Sequence, residues 1–253
     1  MRLLAHQLRF EQLTFWRNRE AAIFIFIFPV MLYLLLGSVY SDEVELDGVD
    51  VPSGDALLPA LFGYGAANTA FGGLAIILVT RREFGILKRL RATPLPSPTY
   101  FAAFVVSILV VFALEAVALL VLGRLVFDAS PPENWLGFAG AVVLGTVCFA
   151  GLGFGAAALI RSAEGVSAVV NVVVLPMAFL SGGFGPRGDY PGFLQAIADV
   201  LPLTYFLEIV NGVYLDGDSL VANPGSLAMV AGWGAAGLVV AILRFSWMPR
   251  QDS

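Results

Sequence analysis

Charge is what this chain has least of. Only 13% of its 253 residues are charged, about half the ~25% of a soluble domain, while 58% are hydrophobic. Mean hydropathy is +0.85. That balance excludes an ordinary water-soluble protein, and such hydrophobicity excludes a disordered one. A single cysteine, Cys148, allows neither an internal disulfide nor a multi-thiolate metal site. One histidine, His6, rules out zinc sites built on several histidines, and it precedes the first apolar run, so no intramembrane Ser–His pair is expected. The one lysine, Lys88, lies between Leu87 and Arg89, so the chain has no G-x-x-x-x-G-K-[ST] phosphate loop. A net charge of −5 gives no global basic field for nucleic acid. The chain is therefore expected to hold no catalytic residue, metal or cofactor of its own.

Long apolar runs are what it has instead. A bilayer core needs ~20 apolar helical residues, and six runs qualify: about 21–40, 56–80, 99–122, 135–160, 165–185 and 225–245. Between Ile23 and Leu36 stand eleven Ile, Phe, Val and Leu residues, which contribute about −3 to −7 kcal/mol to insertion. The expected fold class is an all-α polytopic membrane protein with six transmembrane helices, residues 1–253 forming one domain. Pro29, Pro59 and Pro176 fall in or beside these runs and are tolerated where neighbours re-satisfy freed carbonyls. Gly151 and Gly155 have small-xxx-small spacing, which serves either internal packing or a dimer contact. Residues 1–20 read as an interfacial helix with Leu4, Leu8 and Phe15 on one face, a face that Glu11 interrupts.

Six spans leave both termini on one side. Taken as cytoplasmic, that side holds twelve of the fourteen basic residues, with only Arg124 and Arg187 opposite. Asp42, Glu43, Glu45, Asp47, Asp50 and Asp55 fill the first opposite loop with no base among them. The positive-inside bias therefore predicts cytoplasmic N- and C-termini.

Between the second and third spans runs a short basic loop, residues 81–94. Phe84, Leu87 and Leu90 are three apart, which predicts one apolar helical face with Arg82, Lys88, Arg89 and Arg91 around it. Pro94, Pro96 and Pro98 then end the helix. Periodicity alone leaves two readings, a helix lying on lipid or a docking surface for a cytosolic partner.

The string from Arg82 to Leu95 resembles the E-x-G-x-L-x-x-L-x-x-T-P segment of ABC-2 type exporter permeases, where it also follows the second span. Glu83, Gly85, Leu87, Leu90, Thr93 and Pro94 match, while Ile86 and Lys88 depart from the common Thr and Glu. The resemblance implies a coupling helix at about 82–93, with Arg82, Glu83, Phe84, Gly85, Leu87, Lys88, Arg89, Leu90, Thr93 and Pro94 facing a separate ATP-binding subunit. That partner would carry ATP and Mg. The resemblance further implies a second copy of the permease and export of drug, lipid or polysaccharide across the cell membrane.

Residues 186–223 are too apolar for a solvated loop and read as short outer helices, re-entrant or interfacial, before the last span. Pro202, Thr204 and Tyr205 there are similar to a late P-x-T-Y segment of the same family, although Asn211 stands where relatives often carry Arg. Inside the spans, Glu115 is the one ionisable group, and Asn68, Thr69 and Asn171 are polar. Glu115, Asn68 and Asn171 stand either on a substrate path or in interhelical hydrogen bonds. So few polar groups favour a hydrophobic or amphipathic substrate. An ion-coupled secondary transporter and a non-transporting assembly protein are the competing classes.

Overall fold

A computed structural model describes residues 2–39, 43–46, 49–184 and 190–248. Asp42, Asp47, Arg187 and Arg250 of the charge pattern above lie outside these residues. Among the described residues six helices are long and apolar enough to cross a membrane, the number expected from hydropathy. They are α2 (Arg19–Val39), a composite second span, α6 (Ser97–Val126), α7 (Trp135–Leu159), α8 (Ala163–Leu180) and α11 (Pro224–Arg244). The first is preceded by α1 (Arg2–Arg17), and a two-stranded antiparallel hairpin, β1 (Glu43–Leu46) and β2 (Val49–Pro52), precedes the second. That hairpin is the one departure from an all-helical chain among the described residues.

The second span is the hub. It runs from Ser53 to Glu83, 31 residues or ~46 Å of helix, and 78% of its apolar window is enclosed by the other helices, against 22% for the first span. It consists of α3 (Ser53–Gly65), a π-helical stretch (Ala66–Gly73) and α4 (Leu74–Glu83). The span begins three residues before the expected Ala56, and Asp55 is no loop acid. It lies buried in the first turn of α3, where its Oδ1 accepts the Ser130 amide at 2.6 Å. The π stretch is mostly small residues, which lets neighbours come close. Gly153 of α7 lies against the carbonyls of Phe71 and Ala70, and Gly72 lies against Val170 of α8.

The fourth and sixth spans, α7 and α11, pack most closely of all. Gly151 lies on the backbone of Gly234, and Gly155 on that of Gly237. The small-xxx-small motif is thus used within the chain, joining α7 to α11 by backbone contact. Lipid is as apolar as leucine, so helices gain from dispersion and weak Cα–H···O contacts only when their backbones approach, and glycine permits this.

Candidate functional site

The segment expected to couple to a partner begins where α4 ends. Phe84 donates its amide to the Thr80 carbonyl and Gly85 to Arg82, both at 3.0 Å, and Gly85 takes φ +68°, the left-handed position that closes a helix. A new short helix, α5 (Ile86–Arg91), then starts, and Thr93 closes it by donating its hydroxyl to the Leu90 carbonyl at 2.6 Å. The continuous helix expected over 82–93 is therefore two pieces, because the chain turns at Gly85. The expected apolar face splits with it. Leu87 is fully buried and Leu90 partly so, whereas Phe84 is 68% exposed and stands with the exposed Ile86 among Lys88, Arg89 and Arg91. Thr93 and Pro94 are exposed as well. A Cβ on Gly85 would meet nothing within 4 Å, so Gly85→Ala carries only the backbone strain, about 1 kcal/mol. Hydrogen exchange at the 85–91 amides should quicken about fivefold, with the global melting temperature lowered by only about 2–4 °C.

Three consecutive charged residues end α4, and each reaches a different element. Arg81 donates Nη1 and Nη2 to the two carboxylate oxygens of Glu11, at 2.9 and 2.6 Å, and a further bond from Nη1 to the Tyr100 hydroxyl at 2.8 Å. Its guanidinium lies 5.1 Å from the Phe104 ring centroid. Arg82 is buried and donates to the carbonyls of Ala157 (2.8 Å), Ile160 (2.6 Å) and Arg161 (3.3 Å). Glu83 accepts the amide of Ala163 on its Oε2. Arg82, placed by periodicity on the outside of a helix, is thus turned inward.

Arg81 and Glu11 escaped the sequence reading as a pair. The signal was there, since Glu11 interrupted the apolar face of α1. In the fold α1 lies along α6 with polar Gln7 and Glu11 inward, while Leu3, Phe10 and Leu13 face outward. Gln7 donates to Glu11 Oε1 at 2.8 Å, and Gln12 donates to the Ser107 carbonyl and hydroxyl of α6, both at 2.9 Å. A helix at a bilayer surface can afford to show apolar side chains to its surroundings, so its polar line is free to bind the protein.

Glu115 of α6 is 1% exposed. Its Oε2 accepts the Thr69 hydroxyl at 2.9 Å, and its Oε1 finds no partner beside Gly65. The π stretch carries Thr69 to this contact, a local geometry frequent at functional sites. Asn68 is only half-buried in the same stretch. Asn171 is not brought to Glu115. It lies on the exposed side of α8 with Val169, Val172 and Val173, because Val166, Val170 and Val174 form the inward stripe.

Residues 3–215 match the ABC-2 type transporter family. The chain belongs to that family. Three relatives agree. The chain is 26% identical over 238 residues to "Putative transport permease ycf38" of Porphyra purpurea, covering 92% of this chain and 80% of the relative. It is 25% identical over 218 residues to "Putative transport permease YvfS" of Bacillus subtilis, covering 84% and 87%. It is 26% identical over 232 residues to "Probable doxorubicin resistance ABC transporter permease protein DrrC" of Mycobacterium tuberculosis, covering 87% and 80%. The protein is thus a multi-pass membrane transport permease, and such a component is not itself a catalyst.

Far from α5, the ABC-2 permease carries two short helices, α9 (Gly192–Ala198) and α10 (Pro202–Tyr214), bent at 75° to each other. The P-x-T-Y residues make the bend. Pro202 opens α10, Thr204 donates to the Ala198 carbonyl at 2.7 Å, and Tyr205 donates to the Asp199 carbonyl at 2.6 Å.

Proposed function

We propose that this permease is the membrane half of an ATP-driven exporter and takes a separate ATP-binding subunit on α5 and its flanks. The observation that carries this reading is an exposed Phe84 and Ile86 in one short segment with Lys88, Arg89 and Arg91, which directly follows the most enclosed span and buries Leu87 in the core. Exposed apolar side chains interspersed with cations at the end of a membrane helix suit a protein groove, and the direct connection of α4 to α5 lets a push on α5 reach the second span. The positive-inside bias puts this end and both termini in the cytoplasm of a cell whose plasma membrane the chain spans. ATP and Mg belong to the partner, and two permeases with two such partners complete the transporter. Few polar side chains face into the spans, and one relative is named for doxorubicin resistance, so a hydrophobic or amphipathic compound moved outward is the proposed cargo.

The test is association and transport after vesicle reconstitution with the ATP-binding subunit. Phe84→Glu, on an exposed side chain, should leave insertion intact and weaken partner binding by about tenfold or more, the order of an interface anchor worth ~2 kcal/mol. Leu87→Asp, which charges that buried side chain, should uncouple ATP hydrolysis from transport. Unchanged binding and transport in both variants would overturn the reading, as would transport by the permease with no nucleotide-hydrolysing subunit. An ion-coupled carrier would instead use Glu115, whose Oε1 has no partner. Transport driven by a proton gradient alone, and lost in Glu115→Gln, would favour that class.

A further inference from the structure

The carbonyls ending α7 and the amides opening α8 are the groups a helix cannot satisfy by itself. In this fold two adjacent side chains from a third helix take both. Arg82 donates to the carbonyls of Ala157, Ile160 and Arg161, and Glu83 accepts the amide of Ala163, the first residue of α8. Ser162 already supplies the ordinary cap of α8 by accepting the Gly165 amide. The signs are those the helix dipoles favour, a cation at a C-terminus and an anion at an N-terminus. The Ala157 carbonyl is buried and needs Arg82, whereas water could hydrate the exposed turn at Arg161 and Ser162, so satisfying the start of α8 does not require Glu83. What the arrangement adds is a fixed distance between the end of the second span and the turn joining the fourth to the fifth.

We propose that Arg82 and Glu83 are positioning residues that weld the 160–163 turn to the coupling segment. A displacement of α5 then moves the ends of α7 and α8 together with α4. Neither residue docks the partner. The inference rests on the reading of α5 as the docking segment, and it assigns to these two residues a different task from that of Phe84 and Ile86. Arg81 extends the same joint to α1 through Glu11. Three neighbouring side chains thereby divide one input among five helices, α1, α4, α6, α7 and α8.

Reconstituted vesicles with the ATP-binding subunit provide the test. ATP-driven transport by the wild-type pair comes first, and its absence would count against the docking reading rather than against the weld. Given that transport, Glu83→Ala should bind the partner and support ATP hydrolysis as the wild type does. Its transport per ATP should fall about tenfold, the scale of one hydrogen bond to a charged group. Glu83→Gln should recover most of the loss, because its amide oxygen accepts the same Ala163 amide. A second arm reads a recovery of function. In a Cys148→Ala background, Glu83→Cys with Ala163→Cys should be impaired like Glu83→Ala, and joining the two thiols with a short bifunctional reagent should restore most of the wild-type transport per ATP, since the link replaces the lost Glu83–Ala163 contact. The weld is refuted if Glu83→Ala weakens partner binding, if it transports with wild-type coupling, or if the crosslinked pair stays impaired.

Discussion

Gly151→Leu should strongly destabilise the fold of this permease. A Cβ at Gly151 would stand 2.4 Å from the Gly234 carbonyl oxygen, and the reciprocal Cβ at Gly237 would stand 2.5 Å from the Gly151 oxygen. Gly155 repeats the contact one turn along, at 2.8 Å from the Gly237 oxygen. Every clashing atom is backbone, so no rotamer change relieves it and the two helices must part. Overpacking in soluble cores costs about 1–3 kcal/mol through adjustable side chains. Here α7 and α11 would lose their whole close face, and the expected loss is more than about 3 kcal/mol. Size-exclusion profiles after graded heating in detergent measure this, with Gly232→Leu as control, since nothing lies within 4 Å of a Cβ there. Wild-type thermal behaviour in Gly151→Leu, or equal loss in Gly232→Leu, would refute the glycine contact as the reason α7 and α11 stay together.

The second large effect is expected at Arg81. Its side chain is 11% exposed and that of Glu11 is 2%, and the pair is bidentate with Tyr100 and Gln7 on its flanks. Taking one partner from a buried ion pair leaves an uncompensated charge, at a cost of about 3–5 kcal/mol. Arg81→Leu and Glu11→Leu should each lower stability by that order and free α1, seen as faster proteolysis at Arg17 and Arg19. The double variant should be more stable than either single one, because no isolated charge is left. Losses that simply add would show that the two residues act separately. At the exposed surface pair of Arg124 and Asp128, both side chains more than half exposed, the same substitutions should change almost nothing.

Some of this was legible in the residues alone. The run of apolar side chains from Ile23 to Leu36 makes a span wherever the rest of the chain lies, because insertion sums over single residues. The apolar residues on either side of Pro202 marked two short helices, α9 and α10, whereas the 75° bend between them came only with the fold. Gly85 carried a local signal too, yet the reading of residues 84, 87 and 90 as one face passed over it. Three-residue spacing assumes an unbroken helix, and a left-handed glycine ends that assumption. The polar residues were the hardest to place. Asn171 and Glu115 look alike on a hydropathy scale, but one faces outward and the other lies beside Thr69 with an orphan oxygen.

What the sequence determined by itself is that this chain has six apolar runs long enough to cross a membrane and sets five of its fourteen cations at and just after the end of the second. Hydropathy and charge are properties of each residue and need no partner. Only the tertiary structure decided that Glu11 meets Arg81, that Gly151 and Gly155 serve α11, and that Arg82 and Glu83 grip the turn between α7 and α8. At a membrane boundary a charged side chain can turn to water, to lipid headgroups or to another helix at similar cost, and what settles the choice is which helix end the fold brings within reach.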